Sequence, residues 1–220
     1  MTNLTAADGH TLDSYEVDPG DARASIVVVQ EIFGLNAHIR TVVDRYAEYG
    51  YRVVAPAVFD RVERGLELDY DAEGIARGRE LVGAIKWDPV MADIAAAVEH
   101  VAPTGPVGVV GFCFGASVAW LAASTLPITA AVGYYGGQIH ELIDHAPTVP
   151  TMLHFGELDG GIPLDQVAAI DAAHPDVSVH VYEGAQHGFS CDARASYGAL
   201  PAAIAWGRTL GFFVTNGVTP

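Results

Sequence analysis

Cysteine is scarce in this sequence: Cys113 and Cys191 are the only two in 220 residues. Two cysteines cannot form the disulfide framework of a small secreted protein, and they are too few for a structural zinc site built on thiolates. Histidine does not replace them as a ligand, because the sequence has no His-x-x-x-His or Cys-x-x-Cys spacing. We therefore expect no metal site, and each cysteine needs its own explanation.

Long apolar runs are also missing. Glycine, proline or a charged residue interrupts each hydrophobic segment before it reaches the roughly 20 residues that cross a bilayer. The N-terminal run of residues 1–17 has neither the basic start nor the apolar stretch of a signal peptide. The sequence thus predicts a cytoplasmic protein with no membrane partner.

Positive charge is in short supply. The 11 Lys and Arg residues stand against 27 Asp and Glu residues, which gives a formal net charge of −16. A field of that sign repels phosphate backbones and anionic lipid surfaces, so nucleic acid is excluded as a partner. Lys86 is the only lysine, and the acidity fits either a high-salt habitat or codon bias. The partner that we expect is a small molecule.

The chain is long enough to bury one continuous core, and we predict a single domain over residues 1–220. Short apolar runs alternate with segments of helical spacing, which is typical of an α/β fold with a mostly parallel, doubly wound sheet and helices on both faces. The predicted strands are Ser25 to Gln30, Tyr51 to Ala55, Val107 to Phe112, Ala130 to Tyr135, Thr151 to Phe155 and Ser178 to Glu183. The predicted helices are Ile39 to Tyr49, Val90 to Val101, Phe114 to Thr125, Pro163 to Ala173 and Ala195 to Phe213.

In such sheets ligands bind beyond the carboxyl ends of the strands, so the residues that follow each apolar run are the candidates for chemistry. One long polar stretch separates two core elements, from Arg61 to Gly78. We regard it as a candidate cover for the active site.

A strand, a sharp turn and a helix follow one another around Gly111-Phe112-Cys113-Phe114-Gly115. A nucleophile elbow needs this arrangement, because the reactive residue sits on a strained turn and the positions two residues to either side must be small. The helix start directs free N–H groups toward the sulfur, which favours a thiolate and makes the Phe114 N–H an oxyanion donor. We predict that Cys113 is a nucleophile; the plainer alternative is a buried core residue.

Two further candidates follow later strands. Asp159 lies in a turn-rich loop after one predicted strand, and His187 lies beside a glycine after the next. Nucleophile, acid and then histidine is the chain order of triads on this type of sheet. We predict that His187 takes the thiol proton and that Asp159 accepts a hydrogen bond from its imidazole. Glu157 and Asp165 are the competing carboxylates.

With these residues in place, the sequence resembles the dienelactone hydrolase family over nearly its entire length. The motifs that carry the resemblance are Gln30-Glu31-Ile32-Phe33-Gly34-Leu35-Asn36, Gly111-Phe112-Cys113-Phe114-Gly115, the Asp159 loop and His187-Gly188-Phe189. The resemblance implies an α/β-hydrolase fold, a Cys-His-Asp triad, an ester or lactone substrate and no cofactor. It also implies that Glu31 lies beside the nucleophile and influences its activation, and that the Ile32 N–H completes the oxyanion hole.

Dienelactone hydrolases hold the substrate carboxylate with arginines, and here the sequence departs from the family pattern. The first family arginine aligns near Ile75, with Arg77 and Arg79 close but offset. The second aligns with Cys191, and Arg194 follows slightly later. Arg77, Arg79 and Arg194 are thus the candidate substrate-binding residues, and the identity of the ester stays open. The sequence leaves a monomer and a small homo-oligomer open as well.

Two other classes of function remain open. Cys113 and Cys191 suit a redox-responsive thiol protein if the fold brings them within disulfide distance. The chain also suits a binding protein that keeps the fold without turnover, although the complete set of Cys113, Asp159 and His187 argues against it. The leading hypothesis is a cysteine-dependent hydrolase that forms a thioester acyl-enzyme.

Overall fold

The computed structural model describes residues 2–220. The strands are β1 (Thr2–Thr5), β2 (Thr11–Val17), β3 (Ser25–Val29), β4 (Arg52–Pro56), β5 (Val107–Phe112), β6 (Ala130–Tyr134), β7 (Thr151–Gly156) and β8 (Ser178–Tyr182). The helices are α1 (Ala37–Glu48), α2 (Ala72–Ala84), α3 (Trp87–Val101), α4 (Phe114–Thr125), α5 (Leu164–Ala173) and α6 (Ala199–Thr215). Short 3-10 helices cover Val58–Arg61 and Ala102–Thr104.

Within residues 2–220 the strands form one eight-stranded sheet in the order β1-β2-β4-β3-β5-β6-β7-β8. The pairs β1–β2 and β2–β4 are antiparallel, and all pairs from β4 to β8 are parallel. The winding direction reverses between β3 and β5, which is the switch point where such sheets bind ligands. The mostly parallel, doubly wound sheet that the sequence predicts is confirmed.

Alternation along the strands explains why helices cover both faces of the sheet. In β3, Ile26 and Val28 pack into one core cluster, whereas Val27 and Val29 pack into another. The first cluster contains apolar residues of α1 and α6, and the second contains those of α3 and most of those of α4. Each central strand is therefore buried on both faces, which requires a continuous apolar run.

The structure contains three elements that the sequence analysis did not predict. β1 and β2 form an antiparallel hairpin at one edge of the sheet. α2 begins inside the polar segment from Arg61 to Gly78. A Cβ on Gly78 would approach the carbonyl oxygen of Ile32 to 2.3 Å, so the helix lies directly against the chain that follows β3. The candidate cover segment thus borders the carboxyl edge of the sheet.

The starts of α1, α3 and α6 differ by two or more residues from the predicted positions. α3 begins at Trp87, before the predicted Val90. α1 begins at Ala37, before the predicted Ile39, because the Asn36 side chain accepts the Ile39 N–H and caps the helix. α6 begins at Ala199, after the predicted Ala195, because residues 183–198 form the loop that carries His187.

Candidate active site

The turn between β5 and α4 holds Cys113 in a strained conformation. Its φ is 54° and its ψ is −115°, in a region that residues with side chains rarely occupy. A Cβ on Gly111 would lie 1.8 Å from the Gly115 carbonyl oxygen, and one on Gly115 would lie 2.3 Å from the Val29 carbonyl oxygen. Only glycine fits these two positions, and the contact packs the elbow against the end of β3.

A chain of two hydrogen bonds connects the three predicted triad residues. His187 Nε2 lies 3.2 Å from Cys113 Sγ, and His187 Nδ1 lies 2.7 Å from Asp159 Oδ2. The Asp159 side chain is fully buried, and the His187 side chain is 28% exposed. The structure therefore brings together the three residues that the sequence analysis proposed as nucleophile, base and acid.

The neighbouring carboxylates do not reach the imidazole. Asp159 uses its second oxygen to accept the Gly161 N–H at 2.9 Å, which fixes the side chain in its loop. Glu157 accepts the Gly184 N–H at 2.8 Å, and Asp165 accepts the N–H of its neighbour Gln166 in the first turn of α5. Of the three carboxylates that the sequence offers, the structure directs Asp159 at His187.

The surroundings of His187 favour its protonated form. Burial by itself lowers the pKa of His187, but the hydrogen bonds with Asp159 and Cys113, together with their negative charges, outweigh it and raise the pKa to about 10. A protonated imidazole next to the sulfur is the state that forms when His187 has taken the thiol proton.

Glu31 and Arg194 form a buried ion pair beside the elbow. The Glu31 side chain has no exposed surface, and its Oε1 lies 3.4 Å from Arg194 Nη1. The guanidinium passes over Gly188, where a Cβ would lie 2.5 Å from Arg194 Nη1, and it lies 5.6 Å from the centre of the Phe33 ring. The glycine after His187 therefore leaves the space that Arg194 occupies.

A cavity of about 470 Å³ opens onto the sulfur. Its lining comprises Ile32, Phe33, Ile75, Arg79, Cys113, Gly137, Leu158, Asp159, Gly160, Gly161, Ile162, Gln186, His187, Arg194 and Ser196. Two of the three candidate substrate-binding arginines, Arg79 and Arg194, thus border the cavity. Arg77 does not, because it points to the outer side of α2 and pairs with Glu63 at 2.6 Å and Glu80 at 2.8 Å.

Tyr135, which the sequence analysis placed at the end of a predicted strand, contacts His187. Its φ is 42°, and its ring centre lies 5.1 Å from that of His187. Its hydroxyl lies 2.8 Å from the hydroxyl of Ser190, in the loop after His187. The ring supports one side of the imidazole. No sequence signal marks this role, because an aromatic residue at a strand end looks the same whether it packs on a triad or on the core.

The two thiols have different surroundings. Both are free, and Cys191 is fully buried whereas Cys113 borders the cavity. Burial and the nearby Glu31 carboxylate raise the pKa of Cys191 to about 11. Cys191 is therefore a poor source of thiolate, and the redox alternative gains no support from it.

The chain was compared with known proteins once this geometry was established. A model of the dienelactone hydrolase family matches residues 12–216. The chain belongs to the dienelactone hydrolase family. The carboxymethylenebutenolidase of Pseudomonas putida is 33% identical over 221 residues, which cover 96% of this chain and 94% of that protein. A relative from Synechocystis sp. is 36% identical over 211 residues, covering 87% of this chain and 85% of that protein.

Solved structures agree with this dienelactone hydrolase assignment. The crystal structure of a Klebsiella pneumoniae relative superposes with a TM-score of 0.83 at 28% identity, and the match covers 97% of each chain. The α/β-hydrolase fold predicted from the sequence is confirmed, and this dienelactone hydrolase-like protein is a hydrolase. In the part of the chain that the structure describes, no helix combines the length and the apolar character needed to cross a membrane.

Proposed function

We propose that this hydrolase cleaves a small carboxylic ester or lactone through a Cys-His-Asp triad and a thioester acyl-enzyme. The observation that carries the proposal is the unbroken line from Cys113 Sγ through His187 to Asp159, at 3.2 and 2.7 Å. Each distance is within reach for proton transfer or orientation. A cytoplasmic location remains the prediction from the sequence.

The first half of the reaction acylates the cysteine. His187 takes the thiol proton, and the sulfur attacks the carbonyl carbon, whose π electrons move to the oxygen. The tetrahedral intermediate collapses, the bond to the alkoxide breaks, and His187 returns the proton to that oxygen. Asp159 holds the imidazole in one tautomer and stabilises its positive charge throughout.

The second half releases the acid. Water gives a proton to His187 while its oxygen attacks the thioester carbon. The carbon–sulfur bond then breaks, and His187 returns the proton to the sulfur, which restores the thiol and the neutral imidazole. In both halves a negative oxygen forms, and we assign its stabilisation to the N–H groups of Phe114 and Ile32. The close packing of Gly115 against the end of β3 supports this assignment, because it holds the two backbone segments together. Losing one such donor typically costs about 3 kcal/mol.

Two features favour a substrate that carries a carboxylate of its own. Arg79 of α2 is exposed and borders the cavity. Arg194, in the loop that carries His187, borders the cavity as well. A guanidinium binds a carboxylate through two parallel, charge-assisted hydrogen bonds. Arg194 already forms an ion pair with the Glu31 carboxylate, so we assign the first contact with the substrate carboxylate to Arg79.

The proposal is tested by initial rates on a panel of neutral aryl esters, enol lactones and dienelactones. Cys113→Ala should abolish turnover, whereas Cys191→Ala, which removes the other thiol, should retain it. Acid quenching of the wild type in the steady state should give a peptide that contains Cys113 and carries the mass of the acyl group. Equal turnover by wild type and Cys113→Ala would contradict the proposal. So would an inactive wild type that readily forms a disulfide between the two cysteines.

A further inference from the structure

The outward face of α6 is apolar along its length. Its residues recur at the spacing that places them on one stripe of a helix, opposite the buried Ala205, Thr209 and Phe213. The stripe comprises Leu200, Ala203, Ile204, Gly207, Gly211 and Val214, all of them exposed. Three of its side chains are large: Leu200 is 71% exposed, Ile204 41% and Val214 49%. A solvent-facing stripe normally carries charged or polar residues, so this one points to a partner.

Charge is absent from this stripe in a protein that is otherwise strongly acidic. The chain carries 27 acidic residues and a net charge of −16, yet α6 contains no Asp or Glu. Its charged residue, Arg208, turns away from the stripe, with its guanidinium carbon 5.3 Å from the centre of the Tyr182 ring. Two copies of this chain carry the same negative net charge, and α6 itself adds no negative charge to a contact between them.

The pattern of large and small residues is self-complementary. Ile204 and Gly211 lie at equal distances along the chain from the midpoint between Gly207 and Arg208. In an antiparallel pair of α6 helices related by a two-fold axis at that midpoint, Ile204 of one copy faces Gly211 of the other. A Cβ built on Gly207 or Gly211 meets nothing within 4 Å in the single chain. Each glycine is therefore an open hollow that a side chain of a second copy can fill.

We propose that the protein forms a two-fold dimer through antiparallel packing of α6, with Ile204 of each copy seated on Gly211 of the other. The helix of 17 residues is about 25 Å long, which places the contact among small interfaces and gives a weak, concentration-dependent dimer. Salt should strengthen it, because screening reduces the repulsion between two acidic chains. This dimer is independent of the catalytic proposal.

The test is sedimentation velocity of the full chain between about 1 and about 500 µM, a range that brackets the affinities of small interfaces, at low and high salt. The wild type should approach twice the monomer mass as its concentration rises, and more fully at high salt. Gly211→Leu should remain a monomer throughout, because the leucine side chain fills the space that Ile204 of the other copy needs and leaves the charge unchanged. Gly83→Leu adds an equally exposed leucine on α2, where a Cβ also meets nothing, and should dimerise like the wild type.

Gly211→Leu distinguishes a dimer with one specific register from non-specific association, because an extra exposed leucine increases non-specific association. A Gly211→Leu variant that associates as well as the wild type overturns the proposal. A wild type that stays monomeric over the whole range also overturns it, as does a monomer that co-sediments with phosphatidylcholine vesicles, since the stripe then serves a lipid surface. Ester hydrolysis should be the same in Gly211→Leu and wild type, which verifies that the variant is folded.

Discussion

At the scale of single residues, the site depends on which of several similar side chains points inward. Asp159 and Glu157 belong to one loop, and both accept hydrogen bonds, yet only Asp159 is bonded to His187. The difference arises from the turn at Gly161, whose N–H holds the Asp159 carboxylate in place. Burial then makes that carboxylate the natural partner of a positive imidazole.

Asp159→Asn should lower kcat on a neutral aryl ester by roughly 10²- to 10⁴-fold, because an amide can no longer enforce the tautomer that activates the thiol. Glu157→Gln is the matched control and should leave kcat unchanged, since that side chain bonds only to the Gly184 N–H. Steady-state kinetics of both variants provide the measurement. The reverse order of effects would assign the acid role to Glu157.

Arg79→Ala should raise KM for an ester that carries a carboxylate, by about 10-fold or more for the loss of a charged hydrogen bond. The same change should have little effect on a neutral ester. Arg77→Ala is the control, because Arg77 is held by Glu63 and Glu80 outside the cavity. A parallel loss with both kinds of ester would argue against carboxylate recognition.

The residues of the candidate site show how much of it could be predicted from the sequence. Cys113 directly follows β5, and Asp159 and His187 lie in the loops after β7 and β8, so the parallel sheet brings them to one edge. The arginines lie farther from strand ends, and their directions depend on helix rotation and loop packing. The sequence therefore offered Arg77 and Arg79 as equals, and only the folded α2 separates them.

At the scale of elements, the position of α2 determines one wall of the site. The helix rests on the Ile32 carbonyl through Gly78, and the preceding loop pairs Gly34 with Glu67. The sequence analysis did not predict α2, because its three glycines (Gly74, Gly78 and Gly83) and its charges weaken the helical pattern. It also missed the β1–β2 hairpin, whose partly buried strands lack a continuous apolar run, although Asp8-Gly9 is a hairpin turn signal.

Gly78→Ala and Gly83→Ala form a matched pair on α2. The first places a methyl group 2.3 Å from the Ile32 carbonyl oxygen, whereas the second meets nothing within 4 Å. Gly78→Ala should lower both kcat and the melting temperature, because the helix or the Ile32 peptide must shift. Gly83→Ala should keep kcat and gain about 0.5–1 kcal/mol of stability from the better helix propensity of alanine.

Rates on a neutral ester and thermal unfolding of the two variants test this assignment. A fully active Gly78→Ala would show that the contact with Ile32 is not part of the catalytic geometry. Stability lost to the same extent in both variants would mean that α2 is sensitive to any added side chain.

At the scale of the whole molecule, the side chain of one buried histidine forms hydrogen bonds that connect β7, β8 and α6. His154 in β7 is fully buried, with its ring nitrogens 2.8 Å from the Tyr182 hydroxyl and 3.0 Å from the Thr209 hydroxyl. Thr209 belongs to α6 and also bonds to the Tyr134 hydroxyl at 2.6 Å. Burial, together with the nearby His180 and Arg208, lowers the pKa of His154 well below 6.5, so this centre stays neutral.

The lowered pKa of His154 predicts a loss of stability in acid. Below pH 6.5 the unfolded chain binds a proton at this position and the folded chain does not, so the free energy of unfolding falls as the pH drops. Between pH 7.5 and pH 5 the wild type should lose about 2 kcal/mol more than His154→Asn, which removes the titrating group.

Urea denaturation at the two pH values provides the measurement, and taking the difference between variant and wild type cancels the other titrating groups. His145→Asn, at an exposed histidine, should show the pH dependence of the wild type. Parallel curves for the wild type and His154→Asn would mean that the buried imidazole accepts a proton without unfolding the protein.

The hydrogen-bonded pair of His187 and Cys113 joins residues that are 74 positions apart in the chain. During synthesis, β5 and the start of α4 leave the ribosome long before the loop that follows β8. Under the proposed mechanism, a nascent chain that ends before His187 has the Cys113 thiol without its base and should not form an acyl-enzyme. In refolding, activity on an aryl ester should recover only when the loop after β8 has brought His187 to Cys113, so completing the fold is also what completes the proposed catalytic pair.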